Sequence, residues 1–492
     1  MKTNRIIVFT LLLMLPLASV LANGGSDSAE TASKEMVNIS WHQIGNPQEE
    51  LPVVMEEVNK YLGDKFGINL DITVHGWGDY TTKMQTMHAA GESFDLAFTS
   101  GWANPFIPTA SKGAYLPLDN LLKDYGKDIL SILPAKYWDA AKIDGKIMAI
   151  INYQIMSNQR GIAFVKEYAD KYGFDPDKVT QNKQIFDFFQ QIVDNEEGVV
   201  PYFNLKEGIL PDLNPQEETR YFDDIISEED RYIGVYLTDT TPTVVNTLIS
   251  PEYRRDVESV REMLSAGYIP SDFTSLNLDE EVKGREYASF IMTRIKPGVE
   301  GENLVRYGKD TIVSGLYKPY TSTGSASSTM TAIGVNSQHP EKAMELYNAV
   351  YSDKYLYNLL VFGVKDVHYT DAGNGYVNLD TDKSYGLPAW QFGDQFNAYL
   401  MPGQDPDVWQ QTMDLDASAV VSPLLGFVFD PSPVRNEIAA CGAINAEYKI
   451  SVYYADNLDE AMADFNKAME EAGIDRIITE AQKQIDAWLA TK

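Results

Sequence analysis

Three indoles stand where the chain should leave a β-strand. Trp41 ends the alternating run Val37-Asn38-Ile39-Ser40-Trp41. Trp77 follows Ile68–Val74, which alternates in the same way, and Trp102 lies in the loop after the apolar run Phe94–Phe98. That loop, Thr99-Ser100-Gly101-Trp102-Ala103-Asn104-Pro105, offers hydroxyls, bare backbone and one indole, which suits a polar ligand with flat apolar faces. In open α/β sheets, ligands bind beyond the carboxyl ends of the strands, so three such ends on one edge would form a wall of a cleft.

Bond-making chemistry finds less support. The chain carries no G-x-S-x-G elbow, H-E-x-x-H helix or P-loop. Its 71 acids leave a carboxylate pair of the glycosidase kind open as an alternative. Asp95 sits inside a strand, where an internal hydrogen bond is its expected role, and His75 and His88 are expected to be structural. Asp371–Tyr376 has glycines at calcium-ligand places and Tyr376 at the glycine place, so it reads as a turn. No catalytic residue, metal or cofactor is expected.

The elements that must position the indoles follow from periodicity. Asn46-Pro47 resembles an N-cap and first helical position; Val54, Val58, Tyr61 and Leu62 follow at helical spacing, and Gly63 could end that helix. A second helix runs to about Ala90, with Gly91 after it. Strand–helix–strand–helix–strand is a doubly wound α/β beginning. Asp144-Gly145 is a hairpin turn, and the polar stretch Asn152–Gln159 reads as a crossing into another domain. Residues 161–282 read as mainly helical. Tyr287–Ile295, Thr311–Tyr317 and Met330–Val335 read as strands, Thr321–Thr329 as a Ser/Thr/Gly loop, and Pro340–Tyr351 as a helix. Near the end, Leu458, Met462, Phe465 and Met469, then Ile477, Ala481, Ile485, Trp488 and Leu489, mark two amphipathic helices around Gly473, their stripe expected to face a core.

The 492 residues exceed one ordinary domain, and shares of 44% hydrophobic and 23% charged residues are those of a water-soluble globular chain. A net charge of −31 repels phosphate backbones, so nucleic acid is not an expected partner. Lys2 and Arg5, the apolar Ile6–Leu15 and the small residues up to Ala22 form a secretory signal pattern. The signal is expected to span 1–22 and a flexible leader 23–36. Asn23 stands where a bacterial lipoprotein carries cysteine, so no lipid anchor is expected there. Cys441 is the single cysteine, which excludes an intrachain disulfide.

The phrases GESFDLAFT, KGAYLPLDNLL, IDGKIMAI and HPEKAMELYNAVYSD, in this order, resemble the extracellular solute-binding proteins of bacterial carbohydrate ABC transporters. LLVFGVKDVHY and the tail from SPLLGFVFDPSPVRNEI to AGIDRIITEAQKQIDAWLA are similar to one lipoprotein-like subgroup with its own carboxyl-terminal domain. The resemblance implies a periplasmic-binding-protein type II-like α/β fold, with two lobes joined by a hinge and a ligand cleft between them. Lobe 1 is expected over 37–152 plus 283–345, and lobe 2 over 153–282 plus 346–492, with the subgroup domain at about 420–490.

It further implies a periplasmic or extracellular monomer that takes up a carbohydrate, an oligosaccharide by expectation, and hands it to ABC permease subunits in the membrane. A non-sugar solute such as a peptide is the other alternative. Sugars need flat apolar faces and planar hydrogen-bonding groups. The ligand-binding candidates are therefore Trp41, Gln43, Trp77, Asp79 and Trp102 in the first lobe, Tyr153, Gln154 and Arg160 at the crossing, and Tyr320 and Trp390 later on.

Overall fold

A computed structural model describes residues 36–203, 222–226, 231–273, 284–292, 294–380 and 382–491. The expected signal segment and nearly all of the leader lie outside these. The strands that matter below are β1 (Val37–Ile44), β2 (Ile68–His75), β3 (Leu96–Thr99), β4 (Ile150–Ile151), β5 (Gly161–Val165), β6 (Ser289–Met292), β7 (Thr311–Gly315) and β8 (Met330–Ile333).

The first sheet has the order β2-β1-β3-β8-β4. β1 runs parallel to β2 and β3, whereas β8 runs antiparallel to β3 and β4. Helices Leu51–Phe66 and Tyr80–Ala90 make the two crossovers of the parallel part. Gly91, at φ 67°, ends the second helix in the left-handed region where a bare Cα is favoured. The first helix differs from expectation at both ends. It begins at Leu51, past Asn46-Pro47, with Pro52 in its first turn, and Gly63 stays inside it while Gly67 ends it. Gly63 lies one turn ahead of the chain reversal into β2, and helix geometry tolerates it there.

The second sheet is antiparallel, in the order β6-β5-β7. Residues 161–282 hold not only helices Lys166–Tyr172, Asn182–Asn195 and Pro251–Ser265 but also β5 and the strands Phe222–Asp224, Ile233–Tyr236 and Val245–Asn246. Among its described residues, that stretch carries strands as well as helices. The Asp144-Gly145 hairpin forms, both residues at positive φ, and Asn374-Gly375 turns between Tyr369–Gly373 and Tyr376–Leu379.

Apolar packing divides these elements into two cores. One draws on residues 39–156 and 326–425, the other on 162–320 and 424–485. The chain therefore passes between cores near 156–162, 320–326 and 416–424. The cores part the chain elsewhere than the expected lobe boundaries. β6 and β7 pair with β5 in the second core, and helices Pro340–Ser352 and Lys354–Phe362 pack into the first core. A strand's own pattern does not say which sheet it will join. Helices Arg435–Tyr454, Leu458–Ala472 and Ile474–Leu489 close the second core with Phe465, Met469, Ile477, Ala481 and Ile485 buried. No helix among the described residues is long and apolar enough to cross a membrane.

Candidate functional site

The loops leaving β2 and β3 bring two of the three strand-end indoles together. The Trp77 and Trp102 rings stack at 26° with centroids 6.2 Å apart. Trp390 joins them from a 3-10 turn, Ala389–Gln391, far along the chain, at 6.2 Å from Trp77 and 6.0 Å from Trp102 and steeply inclined to the latter. Phe98, the penultimate residue of β3, packs under both Trp102 and Trp390. Trp77 and Trp102 remain 46% and 51% exposed. Two large rings left half bare side by side, with a third closing a corner, form a contiguous apolar surface of the kind that marks a binding site.

Hydrogen bonds hold this corner in place. The Trp102 indole nitrogen donates to the Ser328 carbonyl at 2.9 Å. The Ser100 hydroxyl accepts from the amides of Trp102 and Ala103, and the buried Asn104, at φ 46°, donates to the Phe98 carbonyl and the Tyr115 hydroxyl. On the other wall, Gln391 donates to the Ile44 carbonyl at 2.6 Å, Asn152 donates to the Gln391 carbonyl, and Tyr357 donates to the Ala389 carbonyl. A surface fixed this way loses little conformational freedom when a ligand settles on it.

Of the expected site residues, Trp77, Trp102 and Trp390 meet, and Asp79 stands exposed two residues after Trp77 at the start of a helix. Gln154 is buried beside them and donates to the hydroxyls of Ser328 and Thr329, so it braces the loop that anchors Trp102. Tyr153 is half-buried, its ring edge-on to Phe396 at 4.8 Å. Burial, then the charges of Asp416 and Asp394, push its hydroxyl up to about 12.

Trp41 and Gln43 stand elsewhere. β1 runs on to Ile44, so Trp41 is not a strand end but a mid-strand residue facing inward, 0% exposed, edge-on to Tyr347 and Phe392. Gln43, two residues on and on the same face, is also fully buried, and neither end of its amide has a hydrogen-bond partner among the described residues. Arg160 and Tyr320 are buried in the segments that pass between the two cores.

Asp95 holds the structural place expected of it. Its carboxylate accepts from the Ser40 amide and hydroxyl and from the Ser337 hydroxyl, at 2.9, 3.1 and 2.6 Å. The His75 ring nitrogen lies 3.0 Å from that of His42.

Residues 47–205 match the bacterial extracellular solute-binding protein family, and residues 423–490 match a domain family of unknown function, DUF3502. A carbohydrate ABC transporter substrate-binding protein of Streptococcus pneumoniae serotype 4 is 27% identical over 498 positions, covering 96% of this chain and 94% of that protein. The N-glycan transport solute-binding protein of S. pneumoniae has 25% identity and a TM-score of 0.82, with 92% of this chain and 99% of that one aligned. The chain is similar to bacterial extracellular solute-binding proteins over nearly its whole length.

Its fold is that of the type II periplasmic binding proteins, as the resemblance implied. Against the same S. pneumoniae protein in complex with Man1GlcNAc the TM-score is 0.73, and with Man5GlcNAc it is 0.69, at the same coverage. With coverage constant and identity within one percentage point, those values register differences in shape among the three structures.

Sequence reasoning missed several parts of this corner. Phe98 looked like core because it is core on one side. Ser328 and Thr329 were visible only as members of a Ser/Thr/Gly loop, and that composition was the available signal. Asn152 and Gln391 act through backbone contacts that no local pattern announces.

Proposed function

We propose that the protein captures an oligosaccharide on the Trp77–Trp102–Trp390 corner and delivers it, by lobe closure, to the permease of an ABC transporter. The observation that carries this reading is the exposed, braced indole corner at the carboxyl edge of the parallel strands. Indole faces stack on the C–H faces of pyranose rings, and the Ser/Thr and amide groups around them supply hydroxyl partners. An inclined third ring accommodates a second sugar residue set at an angle to the first, which favours an oligosaccharide over a monosaccharide. The ligands in complexes of the S. pneumoniae relative, Man1GlcNAc and Man5GlcNAc, belong to that class.

The protein acts as a monomer that binds and releases its ligand unchanged. Asp416, which is buried, and Asp394, which is half-buried, both have raised pKa values and accept hydrogen bonds from backbone amides of their own surroundings. That structural engagement suits a binder better than an acid–base pair facing a glycosidic bond. Cleavage after Ala22 leaves the mature chain free in the extracytoplasmic space.

A thermal-shift panel tests the reading, with Man5GlcNAc, Man1GlcNAc, fructo-oligosaccharides and milk oligosaccharides against peptides and polyamines. A true ligand at a hundred times its Kd stabilises by about 2.7 kcal/mol. Stabilisation by peptides or polyamines and by no sugar refutes the carbohydrate assignment. Chromatographic detection of shortened sugars after incubation refutes the non-catalytic one.

A further inference from the structure

The three segments that pass between the cores are bonded to one another. The amide of Asn158 donates to the Tyr320 carbonyl at 2.8 Å, and that of Tyr320 donates back to the Asn158 carbonyl at 3.0 Å. On its other side, Tyr320-Thr321 pairs in parallel with Val420-Val421, and Ser422 donates to the Thr321 carbonyl at 2.8 Å. The crossings thus form a narrow ribbon, with the first and third segments flanking the second.

At the first-core end of this ribbon all three segments converge on Met156. The Met156 carbonyl accepts from the Ser325 hydroxyl, at 2.8 Å, in the second segment. Its amide donates to Asp416 Oδ2 at 2.9 Å, at the entrance to the third. Asp416 also accepts from the Ser157 amide at 2.8 Å and the Ser157 hydroxyl at 2.7 Å. Its helix, Val408–Ser418, is held to the first core by Trp409, whose indole donates to the Ala398 carbonyl and whose ring is edge-on to Phe396. Asp416 is 3% exposed, so these bonds work in a low-dielectric interior where an amide left without an acceptor is costly.

From this convergence we infer that Asp416 is a positioning residue of the interlobe hinge: by gripping the Met156 and Ser157 amides it sets where the rigid first lobe ends and the bending ribbon begins. Backbone rotation during closure is then confined to the residues beyond Ser157, and the two lobes keep one resting geometry. The inference rests on the reading that the lobes move relative to one another, but not on which solute they enclose.

The test measures lobe geometry with no ligand present. Spin labels placed at Lys123→Cys, on an exposed helical position of the first lobe, and Lys467→Cys, on one of the second, report the interlobe distance. Cys441 is fully buried and stays as it is. D416N keeps the size of the side chain but turns an amide donor toward the backbone donors, and S157A removes one hydrogen bond only. The control is D95N, which weakens a comparably bonded carboxylate inside the first lobe.

The expected result is one narrow distance peak in the parent protein and in D95N. The peak should be shifted or broadened in D416N, and to a smaller extent in S157A. An unchanged peak in D416N and S157A overturns the inference even if both melt earlier. Equal broadening in D95N overturns it too, because any buried carboxylate would then do the same. Failure of every sugar to bind leaves this measurement standing, so the two readings fail separately.

Discussion

Asp394 offers a perturbation whose sign and size can be worked out in advance. It follows the Trp390 turn, and burial pushes its carboxyl up from 3.8 to about 7, although the Phe396 amide at 3.0 Å favours the charged form. The folded protein therefore holds this proton between about pH 4 and 7, where the unfolded chain has released it. For a raised acid, stability is lost as pH rises through that window. A shift from 3.8 to about 7 corresponds to at most about 4 kcal/mol. Asp394 is only partly enclosed, and solvent screening reduces this to about 2 kcal/mol. D394N keeps an acceptor for the Phe396 amide and never ionises.

The difference in unfolding free energy between D394N and the parent should be small at pH 4 and grow in favour of D394N by about 2 kcal/mol by pH 8. Denaturant unfolding across a pH series at constant ionic strength reads this directly. The difference curve is needed because His42 works the other way in the same window. Burial first, then the charge of His75, lowers its pKa from 6.5 to about 4, against the pull of Asp71. For a lowered histidine, stability is lost as pH falls from 6.5 to 4, so the parent profile partly cancels. A D394N difference that is independent of pH, or that shrinks as pH rises, refutes the assignment of a protonated Asp394 to the fold.

Other substitutions separate binding from stability. W102A should weaken oligosaccharide binding by about 2 kcal/mol, some thirtyfold in Kd by calorimetry, because it removes one face of the corner. Its melting temperature should change little, since the ring is half exposed; a large stability loss with unchanged affinity would make it core. D95N should cost about 2 kcal/mol in unfolding free energy without affecting binding, because it weakens charge-assisted bonds to Ser40 and Ser337. G161A should destabilise by about 1–3 kcal/mol, since a Cβ there meets the Ser314 carbonyl at 2.5 Å and Ile295 at 2.8 Å.

Local order was readable because its causes are local. Alternation in Ile68–Val74 and the glycine after Ala90 each act within a few residues, and β2 and its neighbouring helix fall where they were expected. The partition of later strands and helices between two cores depends on pairings such as Phe164 with Ile312, which sequence spacing does not encode.

Trp41 shows the same limit at a single residue. In the chain it looks like Trp77 and Trp102: an indole at the expected end of a strand. Period two places it on one face together with Ile39 and Gln43, and that much is local. What covers the face is not. Tyr347 and Phe392, from much later segments, close on the Trp41 ring and make it core, while Trp390, two residues before Phe392, lies against the Trp77 and Trp102 rings. One turn, Ala389–Phe392, thus buries one indole with its last residue and builds the exposed corner with its second. Distinguishing a packing tryptophan from a binding one in this chain therefore required the position of that turn, which hydrogen bonds from Gln391, Asn152 and Tyr357 determine.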